Sequence, residues 1–296
     1  MKLSLKDVTL CAADTANISL ATRALHLSME KCDFGDAVLF SHAPVDGSFR
    51  TVIIDRISSV ADYSNFILKQ LPLLTDTPYV LVIQWDGYVL NSDAWRPAYR
   101  DYDYIGARWP HFTDGLTVGN GGFSLRSRKL LQALKDPKFA HDPAINEDIL
   151  ICRVYRPALE SEYGIRFAPE MAANRFSYEN HIPNCPTFGF HGLGNMWRHT
   201  EDAEMIKLID LFDPYMFRTG HFVQLIANYF YLRKFDPLAA LYTRMRTHVG
   251  SDDALQLFKE RFKEPQTASD VVDLCESLLP RSSTISSVNE STKIGS

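Results

Sequence analysis

The chain has 296 residues, 46% of them hydrophobic and 23% charged, which is the composition of a folded globular protein and excludes a largely disordered one. A formal net charge of −5 leaves no electrostatic footprint for nucleic acid or for an anionic membrane surface. No apolar run reaches the roughly 18–20 residues that a bilayer span needs, and the opening residues, with Lys2, Lys6 and Asp7, do not read as a signal peptide.

Lys6 to Ala12 reads as a first buried strand, with Asp14 and Asn17 where it gives way to a helix. Ile18 to Lys31 carries Ile18, Ala21, Leu25 and Met29 at helical spacing. Asp36 to Ser41 and Arg50 to Ile54 are short, apolar and β-branched, so strands are expected there. Tyr63 to Leu74 returns to helical spacing, and Tyr79 to Ile83 is a continuous apolar run of the kind that fills a covered parallel sheet. Strands alternating with helices give an α/β class built on right-handed crossovers.

Farther along, Tyr102 to Ala107 reads as a strand, Thr117 to Arg126 as a glycine-marked turn entering a strand, and Ser127 to Lys135 as a short helix. Asn146 is a good N-cap for a helix that carries Glu147 and Asp148 in its first turn and that Pro157 stops. Pro186 to Gly194 closes this part of the chain. After Thr200 glycines thin out and helical periods dominate, through Met205–Phe212, Phe222–Tyr231, Pro237–Met245, Ala254–Phe262 and Ala268–Leu279. The expected division is 1–198 as an α/β domain, 199–280 as a helical region with aromatic clusters suited to partner contacts, and 281–296 as a serine-rich disordered tail. Five cysteines (Cys11, Cys32, Cys152, Cys185, Cys275) without a CxxC pair suggest buried thiols in a reducing cytoplasm.

Four segments could carry chemistry. Gln84-Trp85-Asp86-Gly87 follows a strand directly, at the carboxyl end where open α/β sheets bind ligands, although Asp-Gly is equally a turn pair. Asn120-Gly121-Gly122 removes side chains where something approaches the backbone, or simply makes a tight turn. Glu147 and Asp148 either complement a helix dipole or hold a catalytic carboxylate on a rigid element. His191, between glycines and aromatics, reads as a loop histidine that is exposed and free to bind a metal.

A strand-end Asp, a Gly-Gly turn, an acidic pair opening a helix and a late His, in that order, resemble the layout of GT-A-fold glycosyltransferases. More closely, YDYIGA (102–107), GNGGFSLR (119–126), NED (146–148), FSYE (176–179) and FGFHG (188–192) resemble a bacterial and fungal family within that group, known mainly as a domain of unknown function. The resemblance spans roughly residues 5–195. It implies a GT-A-like, Rossmann-type mixed sheet flanked by helices, with the helical region as an appendage. It further implies transfer of a sugar from a nucleotide-diphosphate sugar, with a UDP-sugar favoured, to a hydroxyl of a glycan or glycolipid. The setting would be bacterial surface polysaccharide or glycoconjugate synthesis, in the cytoplasm or at the inner membrane face. Asp14, Asn17, Gln84, Asp86 and Gly87 would hold the donor nucleotide, and Asn120, Gly121 and Gly122 would line the donor and acceptor pocket. Asp86 and His191 would hold Mn²⁺ or Mg²⁺, and Asp148, with Glu147 as the alternative, would be the catalytic base. One departure stands out: Gln84 occupies the position of the first acid in the usual DxD motif. Two further readings remain, a nucleotidyltransferase on a similar sheet and a non-catalytic relative that binds sugar nucleotides. Self-association through the C-terminal helices is also expected.

Overall fold

In β1 (Leu3–Ala13), Leu10 and Ala12 point to one side and Cys11 to the other, and all three are buried. The same alternation sends Leu81 and Ile83 of a later strand to the first side and Val80 and Val82 to the second. A strand buried on both faces belongs in the middle of a sheet covered by helices, and that is where β1 sits. The computed structural model describes residues 2–262 and 264–279; the expected tail at 281–296, and residue 280, lie outside the described residues.

α1 (Ile18–Lys31) follows and leads to β2 (Cys32–Ser41) and β3 (Arg50–Ile53). A helical segment then runs as α2 (Val60–Asn65), a π-helical stretch Phe66–Gln70 and α3 (Leu71–Leu74), ahead of β4 (Tyr79–Ile83). The sheet is completed by β5 (Tyr104–Ile105) and β6 (Phe123–Ser127), in the order β3-β2-β1-β4-β6-β5. β1 to β4 pair in parallel, and β6 runs antiparallel to both of its neighbours. The expected α/β class, with a mixed sheet, flanking helices and C-terminal helices, is what the chain forms.

Several local expectations are corrected. The strand expected over 102–107 shrinks to β5, and the one expected from 117 begins only at Phe123. The backbones of the two segments come too close for longer regular pairing, since a Cβ on Gly106 would meet the Gly119 carbonyl oxygen at 1.9 Å. After α4 (Arg128–Ala133), Asn146 does precede α5 (Glu147–Ile149), but its side chain makes no cap hydrogen bond. The Glu147 N–H donates instead to Ser64 Oγ at 3.1 Å, tying this helix start to α2. Pro157 does not stop a helix. A π-helical stretch, Leu150–Val154, leads into α6 (Arg156–Tyr163), where Pro157 sits in the first turn and its missing N–H costs nothing. π-Helical turns concentrate near functional sites, and the two among the described residues adjoin the paired elements α2 and α5.

After α7 (Glu170–Phe176) come the C-terminal helices α8 (Asp202–Leu208), α9 (Gly220–Tyr231), α10 (Phe235–Arg246), α11 (Ser251–Arg261) and α12 (Pro265–Ser277). Their buried residues, among them Met205, Phe222, Leu225, Leu241 and Val271, share one continuous cluster with Leu10, Leu39, Leu81 and Ile83 of the sheet. Trp85 meets Phe212 with ring centroids 5.3 Å apart, Arg23 pairs with Glu204 at 2.8 Å, and Asn17 Oδ1 accepts the Asp213 N–H at 2.9 Å. Of the Tyr229-Phe230-Tyr231 cluster that suggested partner contacts, Tyr229 is fully buried and Tyr231 is exposed. Truncation after residue 198 would strip this side of the core. We therefore expect the fragment to be insoluble, or to bind a hydrophobic dye and lose cooperative melting; a soluble, cooperatively melting 1–198 fragment would show that the shared core is dispensable.

Candidate functional site

In the sheet, β2 and β3 lie to one side of β1, while β4 and the strands after it lie to the other. The crevice between β1 and β4 at their carboxyl ends is thus a topological switch point, where open α/β sheets bind ligands. β1 runs out into Asp14 and β4 into Gln84 and Asp86, so two segments distant in sequence arrive at one edge. Asp14 accepts from the N–H groups of Ala16 (2.8 Å) and Asn17 (2.6 Å) through one oxygen. Burial pushes its carboxyl above the usual range, against those two bonds. Asn17, expected to touch a ligand, is buried and spends its amide oxygen on the Asp213 N–H, so it joins α1 to the helical region.

His191 is the centre of the polar cluster, and it corrects the expectation of an exposed loop histidine: its side chain is only 14% exposed. Nε2 lies 2.9 Å from Gln84 Oε1 and 3.3 Å from Asp86 Oδ1, while Nδ1 lies 3.1 Å from Glu179 Oε1 and 3.2 Å from Asn120 Nδ2. Burial works against the imidazolium, but the Asp86 and Glu179 carboxylates outweigh it and hold the His191 pKa well above its ordinary value. In return, the His191 charge outweighs burial at Asp86 and at Glu179 and lowers both. Two anions flanking one cation leave this cluster net negative at neutral pH.

The paired glycines exist because these side chains come close. A Cβ on Gly122 would meet His191 Nε2 at 2.1 Å, and one on Gly121 would meet Glu147 Oε1 at 2.1 Å. Gly87 has the same reason for being glycine: its Cβ would lie 2.7 Å from the Phe190 carbonyl oxygen. Asn120 takes a positive φ of 66°, and its Oδ1 accepts the Phe123 N–H at 3.3 Å, which shapes the turn into β6.

Glu147 and Asp148 take separate roles. Glu147 is buried and is fixed by an ion pair with the fully buried Arg126 at 2.9 Å. Asp148 Oδ2 accepts the Gly121 N–H at 3.1 Å and Oδ1 accepts the Ile149 N–H at 2.8 Å. Burial first, and the neighbouring Glu147 charge second, push the Asp148 carboxyl up to about 6, beyond what the two N–H bonds and Arg126 can offset.

Gln84, Asn120, Gly121, Gly122, Glu147, Asp148 and His191 line one cavity of about 400 Å³. Residues named from widely spaced motifs therefore share a single space. A smaller pocket of about 160 Å³ beside Asp14 shares Gln84 and Tyr63 with it.

Residues 48–191 match the family model described as "Protein of unknown function (DUF5672)". The matched segment contains Gln84, Asp86, the glycine pair, Glu147, Asp148, Glu179 and His191, and it leaves out Asp14, Asn17 and the helices from α8 on. It agrees with the resemblance that the motifs carry. No curated protein sequence matches the chain. Among solved structures, a mannosyltransferase from Pyrobaculum calidifontis in complex with GDP-Man and Mn²⁺ aligns at 13% identity, covering 92% of this chain and 85% of that one, with a TM-score of 0.42. Residues 1–349 of S. aureus TarS, in complex with UDP-GlcNAc, align at 12% identity over 94% and 90% of the two chains, with a TM-score of 0.38. The glycosyltransferase GlyE of Streptococcus pneumoniae aligns at 12% identity over 64% and 54%, also at 0.38.

Sequence reasoning quoted Glu179 and Arg126 inside motif strings without assigning either a task, and it missed Tyr63 and His221 in the cavity wall. For Glu179 and Arg126 the signal was present, a charged residue inside an otherwise apolar or glycine-rich string. Tyr63 and His221 had none.

Among the described residues, no three His, Cys, Asp or Glu side chains gather to hold a metal ion. The donors that do converge are Asp86 Oδ1, His191 Nε2 and Gln84 Oε1. Asp86 Oδ1 is buried without a hydrogen-bond partner among the described residues. Asp86 with Gln84 fits a divalent cation that takes its remaining oxygens from a phosphate ligand, and His191 joins them only on losing the proton that Asp86 and Glu179 hold on it.

Proposed function

We propose that this chain is a GT-A-type glycosyltransferase that moves a sugar from a nucleoside-diphosphate sugar, a UDP-sugar favoured, to a hydroxyl group of a glycan or glycolipid. The observation that carries the reading is that Asp148, with its carboxyl pushed up to about 6, faces the same 400 Å³ cavity as Gln84 and His191. Asp148 accepts the proton of the acceptor hydroxyl as oxygen attacks the anomeric carbon, and a base with a pKa near the working pH suits that step. The Gly121 and Ile149 N–H groups hold the carboxylate in position. Glu147, fixed by Arg126, adds the charge that keeps Asp148 basic.

Asp86 and Gln84, joined by His191 once its proton has left, are the residues that would hold Mn²⁺ or Mg²⁺. Such an ion supplies positive charge next to the departing nucleoside diphosphate. Asp14 and the pocket beside it, at the switch point, offer the space for base and ribose. Incubation of the full chain with a panel of UDP-, GDP- and dTDP-sugars tests the reading. Release of nucleoside diphosphate supports it, release of pyrophosphate replaces it with nucleotidyl transfer, and binding without turnover replaces it with a non-catalytic role. A true donor at 100 times its Kd stabilises the fold by about 2.7 kcal/mol, which a thermal-shift screen detects.

The glycine pair supplies a sharper test. Gly122→Ala drives a methyl group into the His191 ring, which must move off Gln84 and Asp86. We expect turnover to fall about 100-fold, the cost of an ångström-scale misplacement, with far-UV circular dichroism unchanged. Normal kinetics in Gly122→Leu would remove this wall from the site.

A further inference from the structure

A larger cavity, about 600 Å³, lies between the segment 179–198 and the helical region. Glu179 and His221 line both this cleft and the cavity that Asp148 faces, so the two spaces adjoin. Its walls are held by side-chain amides. Asn228 Nδ2 donates to the Gly194 carbonyl at 2.8 Å, Gln224 Nε2 donates to Asn228 Oδ1 at 3.0 Å, and Arg261 donates to Gln224 Oε1. α9 is thereby fastened to the loop that carries His191, and the cleft is formed without a ligand.

Its charge is the informative feature. In a chain of net charge −5, the lining has one acid, Glu179, and that carboxylate already faces His191 Nδ1 at 3.1 Å. Against it stand two guanidinium groups with no carboxylate partner among the described residues. Arg198 lies over the Trp197 ring at 4.3 Å, which limits its freedom, and Arg261 bonds only to a neutral amide. The first turn of the 12-residue helix α9, at Gly220 and His221, adds the positive end of a helix dipole to the same wall. Two guanidinium groups on the wall of one cleft, both reaching solvent, favour a phosphate or a carboxylate there.

We propose that this cleft is the acceptor subsite of the transferase proposed above, and that it selects an acceptor sugar carrying a negatively charged substituent, phosphate or carboxylate. The inference rests on the transferase reading for the word acceptor and on the cleft's own residues for its charge preference. The anionic group sits between Arg198 and Arg261, and the shared wall at Glu179 and His221 lets the rest of the acceptor reach Asp148.

Calorimetric titration of the full chain tests this with three probes: glucose 1-phosphate, digalacturonate and the neutral cellobiose. At least one charged probe is expected to bind about tenfold or more tighter than cellobiose, and to lose about 10–100-fold in affinity in the Arg198→Gln/Arg261→Gln double variant. Which charged probe responds distinguishes a phosphate from a carboxylate acceptor. Saturating UDP or GDP should leave that binding in place, and nucleotide affinity should be the same in the variant. Equal binding of all three probes, or an unaffected double variant, overturns the proposal. Displacement of the charged probe by the nucleotide also overturns it, because the cleft would then hold the donor's diphosphate. Charged-probe binding without any nucleotide-sugar binding or turnover sinks the transferase reading and the acceptor role with it, while the anion selectivity of the cleft stands.

Discussion

Asp148→Asn is expected to lower kcat by about 10²–10⁴-fold, the usual contribution of a general base, with little change in donor affinity. The replacement keeps the shape and can still accept one of the two N–H bonds from Gly121 and Ile149, but it cannot take a proton. The wild-type rate should carry an acid limb near pH 6, where the raised Asp148 carboxyl becomes protonated, and the variant's residual rate should lack it. Stability should move in the opposite sense. A carboxyl whose folded pKa lies above its unfolded value favours the fold when protonated, and that contribution is lost as pH rises through about 6. Melting curves of wild type relative to Asp148→Asn should therefore worsen between pH 4 and pH 7.5. A kcat within about twofold of wild type, with the acid limb intact, would transfer the proton to another group and end the case for Asp148.

Arg126→Met is expected to cost about 3–5 kcal/mol of stability, the range for leaving one member of a buried ion pair uncompensated. The Arg126 side chain is completely buried. Its Nη2 meets Glu147 at 2.9 Å, its Nε donates to Ser124 Oγ at 3.0 Å, and the guanidinium lies 5.3 Å from the centre of the Tyr104 ring. Removing it strands the Glu147 carboxylate at 4% exposure, between the glycine turn and α2. Urea denaturation of Arg126→Met beside Arg126→Met/Glu147→Gln separates the pair from simple packing. The double variant should recover most of the loss, because no unpaired charge remains inside. A single variant within about 1 kcal/mol of wild type would mean that water or a shifted neighbour already satisfies Glu147.

The two variants probe different halves of one acidic pair, and the pair illustrates what a motif conceals. From Asn146-Glu147-Asp148 alone, either carboxylate could be the base. Both line the cavity, and only the placement of β6 beside α5 pairs Glu147 with Arg126 and leaves Asp148 without an ion pair among the described residues. The glycine pair is similar. Two positions without Cβ announced a close approach, but its objects, the Glu147 carboxylate and the His191 ring, come from segments 26 and 70 or so residues away.

Local sequence determined the elements whose pattern is local. α1 begins and ends where helical spacing says, and β4 is the apolar run Tyr79–Ile83. The glycine turn, acidic pair and late histidine named from the sequence do line one cavity, while the strand-end Asp86 lies behind it against His191. Burial was beyond local sequence. His191 lies in a loop, but two carboxylates and two amides enclose it. Asn17 looked free at a strand end, but Asp213 claims its oxygen from the far side of the chain. The helices after residue 199 gave no sign that they line a cleft or share the sheet's core. Side-chain periodicity reports which face of an element is apolar, since it reflects only the backbone repeat of 3.6 or 2 residues. It carries no information on which distant element covers that face, so the charge partners, the walls of both cavities and the division of labour between Glu147 and Asp148 were decided by tertiary packing alone.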